Sequence, residues 1–163
     1  MVTLGFKFFK LGGKVAISNY LHEELIVFLD QTTRDATIQF LVDLLDGVGR
    51  LKDKKAFHDA LLEREKIVST GIGLGIAIPH AKLEGYDDFF IAIGIQKNNG
   101  IDWKALDGSP VRIIFMIGGP ENKQTEYLHI LSRLTTAIKD PELRKQLLKA
   151  STAGQVLHLL KDF

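Results

Sequence analysis

The stretch that decides the fold runs from Ser69 to Lys82 and reads STGIGLGIAIPHAK. Gly71, Gly73 and Gly75 lead into a short apolar run, Ile76-Ala77-Ile78, which is closed by Pro79-His80. A run this short, bounded by glycine and proline, predicts a buried strand. Proline fixes its own φ and pushes Ile78 toward extended backbone, so the strand delivers the His80 imidazole at a defined place. A dinucleotide loop is excluded. It needs glycine where Ile76 stands, and its glycines follow a strand and open a helix instead of preceding a strand. A phosphate loop at Gly13-Lys14 fails on Phe8 and Val15. What these glycines can do is take positive φ, approach closely and expose amides near whatever His80 faces. A histidine so held can be a nucleophile, a general base or a metal ligand. A plain glycine turn before a surface histidine would have the same spacing.

Outward from this stretch the chain alternates between two periodicities. Toward the N-terminus, residues 25–29 (LIVFL) predict a strand. Thr32 or Thr33 then offers a cap for a helix that places Ile38, Leu41, Val42 and Leu45 on one face and ends near Gly47 or Gly49. Asp53 caps the next helix, with Phe57, Ala60, Leu61 and Ile67 on its inner side. Toward the C-terminus, residues 89–95 and 111–117 predict strands, the second ending at the breaker Gly118-Gly119-Pro120. Helices follow at 123–139, 141–149 and 152–161, with Asp140-Pro141 and Ser151 as their start signals. Strands separated by helices predict an α/β fold, a single domain with a sheet sandwiched between helices. The turn-rich stretch 101–110 makes that sheet mixed. Residues 1–16 differ in texture, aromatic and basic by turns, and read as an arm of unknown role ahead of a domain at 17–163.

Composition narrows the functional classes. A chain of 163 residues that is 45% hydrophobic can bury one core. Twenty-one Lys and Arg against twenty Asp and Glu leave no basic excess for a nucleic-acid partner. With no cysteine, there is no thiol nucleophile and no cysteine zinc site. No apolar run reaches membrane-spanning length, and Lys7, Lys10 and Lys14 interrupt the one stretch that could be a signal peptide. The expectation is a cytoplasmic protein. Metal binding has little support, since His22-Glu23-Glu24-Leu25-Ile26 carries Ile26 where a second histidine is needed. No G-x-S-x-G elbow marks a serine hydrolase.

Two further residues are candidates. Arg64 lies just ahead of the glycines, between Glu63 and Glu65; it is either a solvated arginine or a guanidinium for an oxyanion. His129 lies off an apolar stripe of Leu128, Ile130, Leu131, Leu134 and Ile138, facing either solvent or a site.

The string from Arg64 to Lys82, REKIVSTGIGLGIAIPHAK, resembles the phosphotransferase-system enzyme IIA family of the fructose, mannitol and nitrogen-regulatory type. The resemblance extends over about residues 17–162, including 106–111 (LDGSPV) and 128–131 (LHIL), and is strongest to the nitrogen-regulatory branch. It implies a mixed sheet between helices and a histidine phosphorylated on Nε2, matched by His80. Arg64 matches the family's active-site arginine. His129 matches its second histidine, which would bond the phosphoryl group without carrying it. Ser69, Thr70, Gly71, Gly73 and Gly75 would form the phosphate loop. Transfer between imidazoles rests on positioning and charge stabilisation, so no metal or cofactor is called for. The implied donor is HPr or its nitrogen-branch paralogue. The implied downstream partner is a regulated transporter or kinase, or a IIB domain if the protein serves fructose or polyol uptake. A non-catalytic binding module of the same fold is the remaining alternative.

Overall fold

In the computed structural model, which describes residues 16–163, the apolar strands send alternate side chains to opposite sides of one sheet. The strands are β1 (Ile26–Phe28), β2 (Gly71–Gly73), β3 (Ile76–Ala77), β4 (His80–Leu83), β5 (Phe90–Ile95) and β6 (Ile113–Pro120). The helices are α1 (Arg34–Gly47), α2 (Lys54–Ile67), α3 (Gln124–Ile138), α4 (Pro141–Lys149) and α5 (Ala153–Leu160). Ile113, Phe115 and Ile117 of β6 pack with Ile91, Ile93 and Ile95 of β5 against α3, α4 and α5. Ile114 and Met116 pack with Phe90 and Ala92 against α1 and α2. The alternation is the strand period of two, and it makes a sheet buried on both sides.

The path across the sheet is β1-β5-β6-β3-β2. β5 and β6 are antiparallel, as are β2 and β3, whereas β1 runs parallel to β5. The far edge of β6 is shared by two short parallel strands, β3 opposite Ile113 and Ile114, then β4 opposite Ile117 to Pro120. Ile78-Pro79 joins them, and the Pro79 carbonyl accepts from the Ile117 amide at 3.0 Å. Proline has no N–H to give in return, so the ladder is interrupted just before His80.

Local signals set most helix ends. The Thr33 hydroxyl accepts from the Ala36 amide at 3.2 Å, Asp53 from Ala56 at 3.0 Å, and Asp140 from Glu142 at 2.9 Å with Pro141 in the first turn. The start of α5 differs from expectation. Thr152 is its cap, accepting from Gln155, while Ser151 donates its amide and hydroxyl to the Gln155 side chain. The inner face of α2 also differs: Phe57 and Leu61 continue into buried Glu65, and Ile67 is 78% exposed. On α3 the buried stripe is Tyr127, Ile130, Leu134, Ala137 and Ile138, which leaves Leu128 exposed.

The largest correction concerns Gly118-Gly119-Pro120. Expected to break the strand, these residues continue it, paired with Ala81, Lys82 and Leu83 of β4. The missing side chains make room for aromatic rings. A Cβ on Gly118 would lie 2.3 Å from Phe90 and 2.7 Å from Phe57. Residues 1–15, which include most of the predicted arm, lie outside the described residues. Among the described residues no helix is long and apolar enough to cross a membrane.

The ring contacts give a direct test. Gly118→Val must displace Phe90 and Phe57, and overpacking of this kind costs about 1–3 kcal/mol. Urea unfolding of the variant should show a lower midpoint with an unchanged slope; an unchanged midpoint would mean that the rings are not held there.

Candidate functional site

His80 opens β4, and strand periodicity turns it to the same side as Ile76 and Ile78, the side covered by α3. Its Nδ1 lies 3.0 Å from the Ile78 carbonyl oxygen. A carbonyl only accepts, so Nδ1 carries the hydrogen and Nε2 is left with its lone pair. Burial holds the imidazole below the ordinary histidine range, against the opposing pull of that carbonyl, and the Arg64 and Lys82 charges lower it further. At neutral pH this ring is therefore uncharged, with a free nitrogen.

Ile78 is in turn fixed from below. Its amide donates to the Thr70 carbonyl at 3.0 Å. Thr70 is buried and is held by Glu65, whose carboxylate accepts from the Thr70 amide at 3.2 Å and from its hydroxyl. The Trp103 indole N–H, fully buried, is shared between Glu65 at 3.2 Å and the Thr70 hydroxyl at 3.1 Å. Glu65 is only 5% exposed, a setting in which a carboxylate survives only if its oxygens are bonded. These contacts anchor the end of α2 to the Ile78-Pro79 link that leads into His80.

A cleft of about 330 Å³ opens beside the imidazole, lined by Arg64, Ser69 and Thr70 on one side and by Tyr127, Leu131 and Thr135 of α3 on the other. Arg64 is in the last turn of α2, and its guanidinium donates to the Val68 carbonyl at 2.8 Å. Among the described residues no carboxylate pairs with it, despite Glu63 and Glu65 on either side: Glu63 pairs with Lys66 and Glu65 is committed to Thr70 and Trp103. The rim is apolar, formed by Val68, Ile72 and Leu106, all exposed.

The expected residues separate into two groups. His80, Arg64, Ser69 and Thr70 meet at the cleft. Gly71, Gly73 and Gly75 do not line it. The Gly71 amide is taken by the Ser69 hydroxyl at 3.0 Å, and Gly73 and Gly75 build the β2–β3 hairpin. That turn has positive φ at both Leu74 and Gly75, as a tight two-residue hairpin requires. It is tied down by Asp107, which accepts from the Leu74 amide at 3.0 Å.

His129 is the other exception. Tyr127, Leu131 and Thr135 are four residues apart and present one helix face to the cleft, and His129 is not among its lining residues. Two positions beyond Tyr127 it is turned roughly 200° around the helix. The ring beside His80 belongs to Tyr127, 5.6 Å away between centroids. Burial pushes the Tyr127 hydroxyl up to about 12, with Arg64 opposing, so it stays protonated. Sequence reasoning missed Tyr127 because an aromatic residue on an apolar stripe reads as core. It also missed Glu65, although an acidic residue four positions after Leu61 on a buried face was a usable signal.

Residues 19–163 match the family described as phosphoenolpyruvate-dependent sugar phosphotransferase system, EIIA 2. The chain is 39% identical over 134 residues to the fructose-specific EIIABC component of Bacillus subtilis, covering 82% of this chain but 21% of that protein. It is 38% identical over 130 residues to the fructose-specific EIIA component of Haloferax volcanii, covering 80% of this chain and 84% of that one. Among solved structures, the nitrogen regulatory protein IIA-Ntr of Neisseria meningitidis superposes with a TM-score of 0.82 at 29% identity, covering 90% of this chain and 99% of that one. A match spanning nearly all of the described residues, on the predicted sheet between two helical layers, makes this chain a member of the phosphotransferase-system EIIA 2 family.

Proposed function

We propose that the protein is a phosphoryl carrier of the phosphoenolpyruvate-dependent phosphotransferase system, accepting phosphate on Nε2 of His80. The observation that carries this reading is the Ile78 carbonyl bond to Nδ1, which leaves Nε2 unprotonated and facing a cleft that holds an unpaired arginine. The donor is the phosphohistidine of HPr or its nitrogen-branch paralogue. The His80 lone pair forms the new N–P bond as the donor's N–P bond breaks, and the electron pair of the broken bond returns to the donor's ring nitrogen. The hydrogen stays on Nδ1 throughout, donated to the Ile78 carbonyl. The transition state is loose, so the protein's task is alignment plus stabilisation of charge on the equatorial oxygens. Arg64 serves the second need, its planar guanidinium matching two phosphoryl oxygens.

The rim supports a protein donor. Val68, Ile72 and Leu106 are large apolar side chains left exposed around one histidine, a pattern that marks a docking surface more than a small-molecule pocket. The output is regulatory in this reading: phosphorylation adds about two negative charges to a small cleft and changes what can dock there. Uptake of fructose by way of a IIB domain is the second reading, favoured by the length of the match to the two fructose-specific relatives. A cytoplasmic location follows from either reading.

Three outcomes are expected. Phosphoenolpyruvate, enzyme I and a carrier should add about 80 mass units to the protein, one phosphoryl group, and none to His80→Ala. No mass change with any carrier would return the protein to a binding module. Arg64→Ala should keep the fold but slow the transfer on the order of 100-fold, the usual cost of losing one charge-stabilising donor; near-normal transfer would remove Arg64 from the site. The third outcome concerns pH. Because burial holds His80 below the ordinary histidine range, the neutral ring predominates at pH 7, and acidification through its lowered midpoint protonates Nε2 and removes the nucleophile. An NMR titration of the His80 ring should therefore show a midpoint below that of a free histidine; a midpoint above it would contradict the arrangement. Labelled phosphate passing to a purified IIB domain would establish the sugar-uptake reading.

A further inference from the structure

Lys82 lies two residues beyond His80 on β4, so strand periodicity puts both side chains on one face while Ala81 is buried on the other. Their Cα atoms are about 6.6 Å apart, two strand rises. One aromatic ring adjoins both. The Tyr127 centroid is 5.6 Å from the His80 ring and 4.0 Å from the Lys82 ammonium. The ammonium also donates to the Gln124 side-chain oxygen at 2.5 Å.

Among the described residues, no carboxylate pairs with Lys82. Five ion pairs occur among the described residues, involving Arg34, Lys54, Lys55, Lys66 and Lys104, and Lys82 is in none of them. Glu126, the residue before Tyr127 on α3, is engaged by the Tyr20 hydroxyl at 2.6 Å. An ammonium has three donors. One is on Gln124 and the π face of Tyr127 attracts the cation, which leaves donor capacity for a further acceptor. A lysine held against a ring, with no anion of its own and a nucleophilic histidine on the same strand face, is arranged to receive an anion at that histidine.

We infer that Lys82, held by Tyr127 and Gln124, is a second cation for the phosphoryl group on His80 and sets the phosphoryl-transfer potential of this protein. The inference rests on the phosphohistidine reading given above. Arg64 lines the cleft from α2; Lys82 is not one of the lining residues and would reach the phosphoryl group from β4, alongside the Tyr127 ring. Tyr127 acts here as a positioning residue, through Lys82. Its aromatic face fixes an otherwise flexible stem, and a phenylalanine would supply that face equally well.

The test is an equilibrium measurement, because an equilibrium is blind to how well the donor docks. Purified phosphorylated carrier is mixed with the protein at a fixed ratio, and the phosphorylated fraction is read by intact mass when it no longer changes. Wild type must label and His80→Ala must not; if wild type fails to label, the phosphohistidine reading itself falls. Given labelling, Lys82→Met should lower the transfer equilibrium constant about tenfold, the scale of one charge-assisted hydrogen bond. Lys82→Arg and Tyr127→Phe should stay near wild type, and Tyr127→Leu should move in the direction of Lys82→Met. The 31P resonance of the phosphorylated protein should titrate at higher pH in Lys82→Met, since a nearby cation favours the dianion. Lys82→Met reaching the wild-type equilibrium, whether at the same rate or more slowly, would overturn the inference, the slower case making Lys82 a docking charge only.

Discussion

The hydrogen bond from His80 Nδ1 to the Ile78 carbonyl is the constraint on which the rest depends. It selects one tautomer of a ring that has two, and it does so with a backbone oxygen whose position side-chain motion cannot easily change. That oxygen is placed by a sequence of contacts: Ile78 is tied to Thr70, Thr70 to Glu65, and Glu65 to the buried indole of Trp103. Pro79 adds rigidity within the same dipeptide by fixing its own φ. The imidazole is then aimed by covalent geometry and buried hydrogen bonds together. Such pre-organisation suits a reaction in which the protein has little to do except align two nitrogens about a phosphorus.

The two-sided sheet provides the remaining geometry. Because β4 is parallel to β6 and lies between the two helical layers, its alternate residues have opposite duties: buried Ala81 packs toward α1 and α2, while half-buried His80 and Lys82 face α3. α2 brings Arg64 to the cleft from its last turn, and α3 brings Tyr127 from its first. The cleft therefore forms where a helix from each layer reaches the broken edge of the sheet. The exposed apolar residues around it, Val68, Ile72 and Leu106, forgo burial that their size would reward, and they do so beside the reactive nitrogen.

Much of this was legible in the sequence, and the parts that were not have physical reasons. Caps at Thr33, Asp53 and Asp140 are local chemistry and were read correctly, as was the strand that leads to His80. Gly118-Gly119-Pro120 misled because a glycine breaks a strand by local preference but completes one where aromatic rings need its space, and only tertiary contacts distinguish the two. The glycines before Ile76 build the β2–β3 hairpin and do not line the cleft, which their spacing alone does not tell. Ile67 and Leu128 were assigned to buried faces by type, yet each lies where its helix faces solvent. His129 has the chemistry a phosphoryl site could use, but the rotation of α3 gives the place beside His80 to Tyr127. That rotation is set by Ile130, Leu134 and Ile138, whose burial a helical wheel displays; placing Leu128 on the same stripe obscured it.

The most direct test of the account is the position of the phosphoryl group on the His80 ring. The protein, labelled with 15N in its histidines, would be phosphorylated from phosphoenolpyruvate through enzyme I and carrier, and its 15N–31P coupling recorded. The account predicts coupling to Nε2 of His80, with Nδ1 still protonated and bonded to the Ile78 carbonyl. Coupling to Nδ1, or to any other histidine, would contradict it.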